Sequence, residues 1–188
     1  LTNHFIPRDT YLVGEVNPNH LDYLTAYAMG KPYLEVRELD AESSRHMETL
    51  SDSFDTALVC NVLEKVTDEQ AVLVNLFNAL EPGGACVVVV PNRPGMFGSL
   101  DEALGHRERY SRERLRASLT TAGFAVESIE DFNRLSVPGW WLNSRVLKTR
   151  HISRLQQKIL NMMVPLMRGL DRWLPWGGQT LIAVARKS

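Results

Sequence analysis

Two short, nearly unbroken apolar runs, Thr56–Cys60 and Ala85–Val90, with a single amphipathic helix signal between them, constrain this chain more than any other feature. The first run follows the acidic turn Ser51–Asp55, and both suit strands covered on both faces of a parallel sheet. Between them Thr67 is placed to cap a helix, with Asp68 and Glu69 in its first turn. Ala71, Val72, Val74, Leu76, Phe77 and Leu80 form its apolar stripe. Pro82-Gly83-Gly84 is expected to stop it. Strand, helix and strand in so short a space make a right-handed crossover, so an α/β protein is expected, with its sites beyond the carboxyl ends of the strands. Here those ends are Asn61-Val62-Leu63-Glu64 and Pro91-Asn92.

The flanking sequence repeats the alternation. Tyr11–Glu15 reads as a strand ending in an acid, and Asn17-Pro18 opens a helix whose inward face is Leu21, Leu24, Tyr27 and Ala28 before Gly30. Tyr33–Leu39 is a third strand that stops at Asp40-Ala41-Glu42, where Asp40 suits the cap of a short helix, Glu42–Met47. Further on, Ser111 caps a helix lined by Leu115, Leu119 and Ala122 and ended by Gly123, followed by a strand at Phe124–Ile129. Thr180–Arg186 matches a last strand.

A chain of 188 residues, 44% hydrophobic and 23% charged, has enough material for one domain with a sizeable core. No apolar run approaches the roughly 20 residues that span a bilayer, and a cytoplasmic location is expected. Cys60 and Cys86 both fall in expected strands and read as reduced core residues, with no metal site anticipated. The net charge of −1 hides an asymmetry: residues 1–81 carry 14 acids against 5 Lys plus Arg, whereas residues 145–188 carry 9 Lys plus Arg against Asp171 alone. Such a basic segment suits solvated helix surface, an acidic substrate or an anionic lipid surface. It holds no recognised nucleic-acid motif.

Three blocks, FDTALVCNVLEKVTDEQ, LEPGGACVVVVPN and GHRERYSRERLRASLTTAGF, together spanning Phe54 to Phe124, resemble the class I S-adenosylmethionine-dependent methyltransferases that act on small molecules. Lys65 departs from the pattern, which usually has His there. The resemblance implies a Rossmann-like, mostly parallel sheet with helices on both faces, an antiparallel last strand, and S-adenosylmethionine as cofactor. It assigns Glu15, with Val16 beside it, to the ribose hydroxyls, and Asp40 to the adenine amino group with Ala41 as its backbone neighbour. Asn61 and Val62 would border the methionine portion. His106, in Gly105-His106-Arg107-Glu108-Arg109-Tyr110-Ser111, is the candidate general base because its unperturbed pKa allows proton uptake near neutrality. Glu64 is a second candidate, and Arg109 and Tyr110 are candidate contacts for an acceptor or for the cofactor carboxylate. The residues alone leave other roles open: Glu15 as an ordinary strand-end acid, Asp40 as a cap, Glu64 packed against its own loop, and His106 as a structural hydrogen-bonding group. The glycine-rich loop of this family has no counterpart here, so the chain is expected to begin just after it. That would leave an unfilled sheet position beside the Phe54 strand.

Residues 135–176 form an insertion before the last strand, within one domain covering 1–188. Leu135-Ser136-Val137-Pro138-Gly139-Trp140-Trp141 leads into an expected helix, about Ser153–Trp173, with Ile152, Leu155, Ile159, Met162, Leu166, Leu170 and Trp173 on one face and a kink at Pro165. Such a face suits core packing or a homodimer, a lid over the acceptor, or contact with a membrane surface. The function expected is methyl transfer to a small-molecule or lipid-linked acceptor. Two alternatives are a non-catalytic remnant or interaction module dimerising through the inserted helix, and a nicotinamide-dependent reductase. The Tyr27-x-x-x-Lys31 spacing of the latter is broken by Gly30 and Pro32.

Overall fold

The computed structural model describes residues 10–149 and 173–188. Its strands are β1 (Tyr11–Glu15), β2 (Leu34–Glu38), β3 (Phe54–Cys60), β4 (Leu80–Pro91), β5 (Phe124–Phe132) and β6 (Thr180–Lys187). Its helices are α1 (Pro18–Ala28), α2 (Ser44–Met47), α3 (Glu69–Ala79), α4 (Ser99–Ala103), α5 (Arg112–Thr121) and α6 (Val137–Trp141), the last continuing as a π turn, Leu142–Val146. The expected helix 153–173 and its kink lie outside the described residues, apart from Trp173.

β3 and β4 pair in parallel across α3, as the two apolar runs require, and β6 lies antiparallel between β4 and β5, giving the order β3-β4-β6-β5. β1 and β2 form a separate parallel pair, and among the described residues no strand joins the two sheets. The architecture is the Rossmann-like α/β one, with the last strand antiparallel. The main core joins Val72 and Leu73 of α3, Cys86, Val88 and Val90 of β4, Leu115 and Leu119 of α5, and Leu181, Ala183 and Ala185 of β6. Phe77 and Phe124 meet edge to face at 5.1 Å over Gly123, whose φ of +102° is a backbone state that glycine reaches without strain. A smaller cluster, Met47, Leu50 and Ala79 with Leu12 and Leu39, links the ribbon to α3.

Several local expectations change. β3 is half covered rather than buried on both faces, and among the described residues only β4 pairs with it; Cys60 at its tip is exposed, whereas Cys86 is buried and its thiol is pushed up to about 12. Asp68, not Thr67, caps α3 by accepting the Ala71 amide at 3.0 Å. On that helix Leu73 is buried and Val74 is exposed. Pro82-Gly83-Gly84 does not stop the helix. Leu80 already pairs with Phe54, and the three residues form an irregularity inside the start of β4. The insertion leaves and rejoins the sheet at one place: the Trp176 indole donates to the Arg134 carbonyl at 2.8 Å, the Gln179 amide to that of Asn133 at 3.3 Å, and the Gly178 amide to Asp131 Oδ1 at 2.7 Å.

Candidate functional site

Three strand tips open on one edge. Because Glu15 pairs with Glu38 in parallel register and its carbonyl accepts the Leu39 amide at 3.1 Å, Asp40 emerges beside it. Glu15 Oε1 accepts the amides of Val16 at 2.8 Å and Asn17 at 2.9 Å, and Oε2 lies 3.3 Å from Nδ1 of His20. The Asn17 amide holds this carboxyl below its usual range against the opposing push of partial burial, with Val16 and His20 adding to it. Glu15 is therefore an acceptor-only group at neutral pH.

Asp40 Oδ1 accepts the Glu42 amide at 2.9 Å and closes a turn; the cap position of α2 belongs to Ser43. Two groups fix that turn to α3. Asn75, buried among apolar neighbours, donates to the Ala41 carbonyl at 2.8 Å, and Glu42 Oε1 accepts the Thr67 and Asp68 amides at 2.9 and 2.7 Å. The loop carrying Asp40 and Ala41 is thus held at the helix that follows the β3 tip. There Asn61 turns the chain with φ +55°, a left-handed state that its short polar side chain tolerates, leaving Asn61 and Val62 at the surface. Glu15, Val16, Asp40, Ala41, Asn61 and Val62 are consequently brought to the same carboxyl edge.

Glu64 and His106 form a second centre. Glu64 is fully buried, its carbonyl accepts the Arg107 amide at 2.7 Å, and neither carboxylate oxygen has a hydrogen-bond partner. Its Oε1 lies 3.6 Å from Nε2 of His106, whose Nδ1 is 3.1 Å from Asp101 Oδ1. The same oxygen accepts Arg109 Nε at 2.8 Å, while Arg109 Nη1 donates to the Asn92 carbonyl at 2.9 Å and the guanidinium sits 4.9 Å from the centre of the Trp140 ring. Burial drives the Glu64 carboxyl up, and its own backbone amide, followed by the charges of His106, Lys65 and Arg109, only partly offsets it. Burial pushes Asp101 the same way, but the hydrogen bonds and charge of His106 and Arg109 outweigh it, so Asp101 titrates below its usual range. Two buried carboxyl groups are thereby held in opposite protonation preferences around one imidazole.

Arg109 and Tyr110 do not reach toward a ligand. Both are buried, the first on Asp101 and Asn92, the second through its hydroxyl on the Leu63 carbonyl and the Glu69 carboxylate. Lys65 is exposed. Sequence reasoning passes over Asp101, Glu42 and Asn75. Only Asn75 carried a signal, as a polar residue inside an apolar helical stripe.

The family described as a methyltransferase domain matches residues 15–129, more than half of the chain. This chain belongs to that family. It is a class I methyltransferase, and S-adenosylmethionine is its expected cofactor. No curated protein sequence matches this methyltransferase. Among solved structures it is similar to a putative methyltransferase from Bacillus halodurans (14% identity, 94% of this chain and 82% of that one, TM-score 0.63). It is likewise similar to an S-adenosylmethionine-dependent methyltransferase from Mesorhizobium loti (18%, 95% and 80%, TM-score 0.62). A third likeness is to the [4+2]-cyclase SpnF (18%, 95% of this chain but 66% of that one, TM-score 0.62). At these identities the likeness concerns the fold. At the tips of β1 and β2 a carboxylate held ionised stands beside a turn braced from α3. Among the described residues no glycine-rich strand-to-helix turn lies beside them.

Proposed function

We propose that this chain transfers a methyl group from S-adenosylmethionine to a small-molecule or lipid-linked acceptor. The observation that carries the reading is the convergence of Glu15, Asp40–Ala41 and Asn61–Val62 on one edge, with Asn75 and Glu42 bracing the middle segment. Glu15 accepts from the ribose hydroxyls, Asp40 from the adenine amino group, and Asn61 and Val62 border the methionine portion. When bound, the cofactor supplies an electrophilic methyl group, so positioning of the acceptor provides much of the catalysis. His106 is the proton acceptor for an oxygen or nitrogen nucleophile, with Asp101 orienting its ring through Nδ1 and Glu64 facing Nε2.

Calorimetric titration with S-adenosylhomocysteine tests the cofactor assignment. Binding is expected, weakened about tenfold or more in Glu15→Ala through loss of a charge-assisted contact, with no affinity for NADH. Binding of NADH in place of S-adenosylhomocysteine would sink the reading. In His106→Gln, affinity for S-adenosylhomocysteine stays within about twofold while methyl transfer falls by roughly a hundredfold or more. Loss of cofactor affinity in that variant would instead make the imidazole a structural brace.

A further inference from the structure

The segment that leaves β5 presents two unlike faces. Inward, Val137 is buried, the Trp140 ring covers the Arg109 guanidinium, and Ser144 lies against Gly98 while its carbonyl accepts Ser99 Oγ at 3.1 Å. Outward, Trp141, Leu142, Val146 and Leu147 are 45–58% exposed. Trp141, Leu142, Arg145 and Val146 recur at one, four and five residues along the same turns, which places them on one contiguous side of α6 and its π continuation. Trp176 returns to the root of this segment, where its indole is bonded to the Arg134 carbonyl, and both it and Trp173 are exposed.

A soluble surface rarely gathers so much large apolar area in one place, and the charged residues within the segment itself are all basic. Residues 132–149 contain Arg134, Arg145 and Lys148 and no acid. Exposed tryptophan beside leucine and valine, set among cations, matches the boundary layer of an anionic bilayer: indole rings favour the headgroup level, and basic side chains meet the negative surface potential. Among the described residues no helix is long and apolar enough to cross a membrane, so the contact is with a surface. We infer that the outer side of α6, with Trp173 and Trp176, is a docking face for anionic lipid. This does not rest on the cofactor assignment.

Co-sedimentation of the full chain with vesicles tests it. Binding is expected to phosphatidylcholine vesicles containing phosphatidylglycerol, with little to phosphatidylcholine alone, and is lost in high salt. Arg145→Glu with Lys148→Glu lowers partitioning by roughly tenfold or more, as does Trp141→Ala with Leu142→Ala, while circular dichroism and melting temperature are unchanged. Tryptophan fluorescence is quenched by brominated lipid in the parent and less so in Trp141→Phe. Failure to bind anionic vesicles at low salt overturns the inference. So does a monomer–dimer equilibrium that Trp141→Ala with Leu142→Ala abolishes, since the face would then belong to a second copy.

Discussion

The two sheets of this protein are built to different standards. In the four-stranded sheet, Val88, Val90, Leu181 and Ala183 are fully buried and α3 and α5 close over them; in the β1–β2 ribbon, α1 has no buried residue and only Leu34 of the strands is fully covered. The well-packed half carries the Glu64–His106–Asp101–Arg109 cluster, and the sparse half carries two of the three tips assigned to the cofactor. Burial sets the chemistry of the first, because a low-dielectric surrounding separates the preferences of Glu64 and Asp101. In the second, bracing substitutes for burial: Asn75 and Glu42 hold the Asp40 turn from α3. Cofactor affinity should therefore respond to the state of the ribbon, and proton chemistry to the integrity of the packed half.

Four substitutions test that contrast. The largest loss is expected for Asp101→Asn, which leaves the Arg109 guanidinium buried without its counter-charge; urea denaturation should register a loss of about 3–5 kcal/mol. A loss below about 1 kcal/mol would mean that the packed half relaxes around the charge. Next, Leu73→Ala in α3 should cost about 2–5 kcal/mol, whereas Leu21→Ala, on a helix with no buried side chain, should cost under about 1 kcal/mol. Equal losses would erase the distinction between the halves. The smallest effect concerns Glu64. Its folded pKa lies above the ordinary 4.5, so the stability it contributes is complete below that value and is lost as pH rises through the folded pKa. Glu64→Gln should therefore gain stability on the parent as pH rises from acid to neutral, read as a melting-temperature difference that grows with pH. Asp101 has the opposite sign: its contribution is present above the ordinary carboxylate range and is lost as pH falls through its lowered value. A melting-temperature series against pH in Glu64→Gln separates the two.

Where a signal was local, it was legible. β1 has the expected bounds, Ser111 caps α5, and Leu115 and Leu119 are fully buried, because caps and periodic stripes are properties of a few adjacent residues. The positions of Glu15 and Asp40 at the tips of β1 and β2 were legible because each follows directly on a strand signal. Long-range context decided the rest. Cys60 is exposed at the tip of β3, which among the described residues has one hydrogen-bonded neighbour, and the Pro82-Gly83-Gly84 turn sits inside β4 because Leu80 finds Phe54. Asp101 reads locally as an acid in the first turn of a short helix. Its role depends on His106 and Arg109 folding back onto it, which spacing alone does not encode.

The stem below residues 135–176 has a consequence for how this protein can diversify. With Arg134 tied to Trp176, Asn133 to Gln179 and Asp131 to Gly178, the two ends of that segment are clasped together where β5 ends and β6 begins. Beyond the inward contacts of Trp140 and Ser144, a segment hung from such a clasp can be lengthened, trimmed or recomposed while β5 and β6 keep their register, so its outer surface can change without disturbing the catalytic frame.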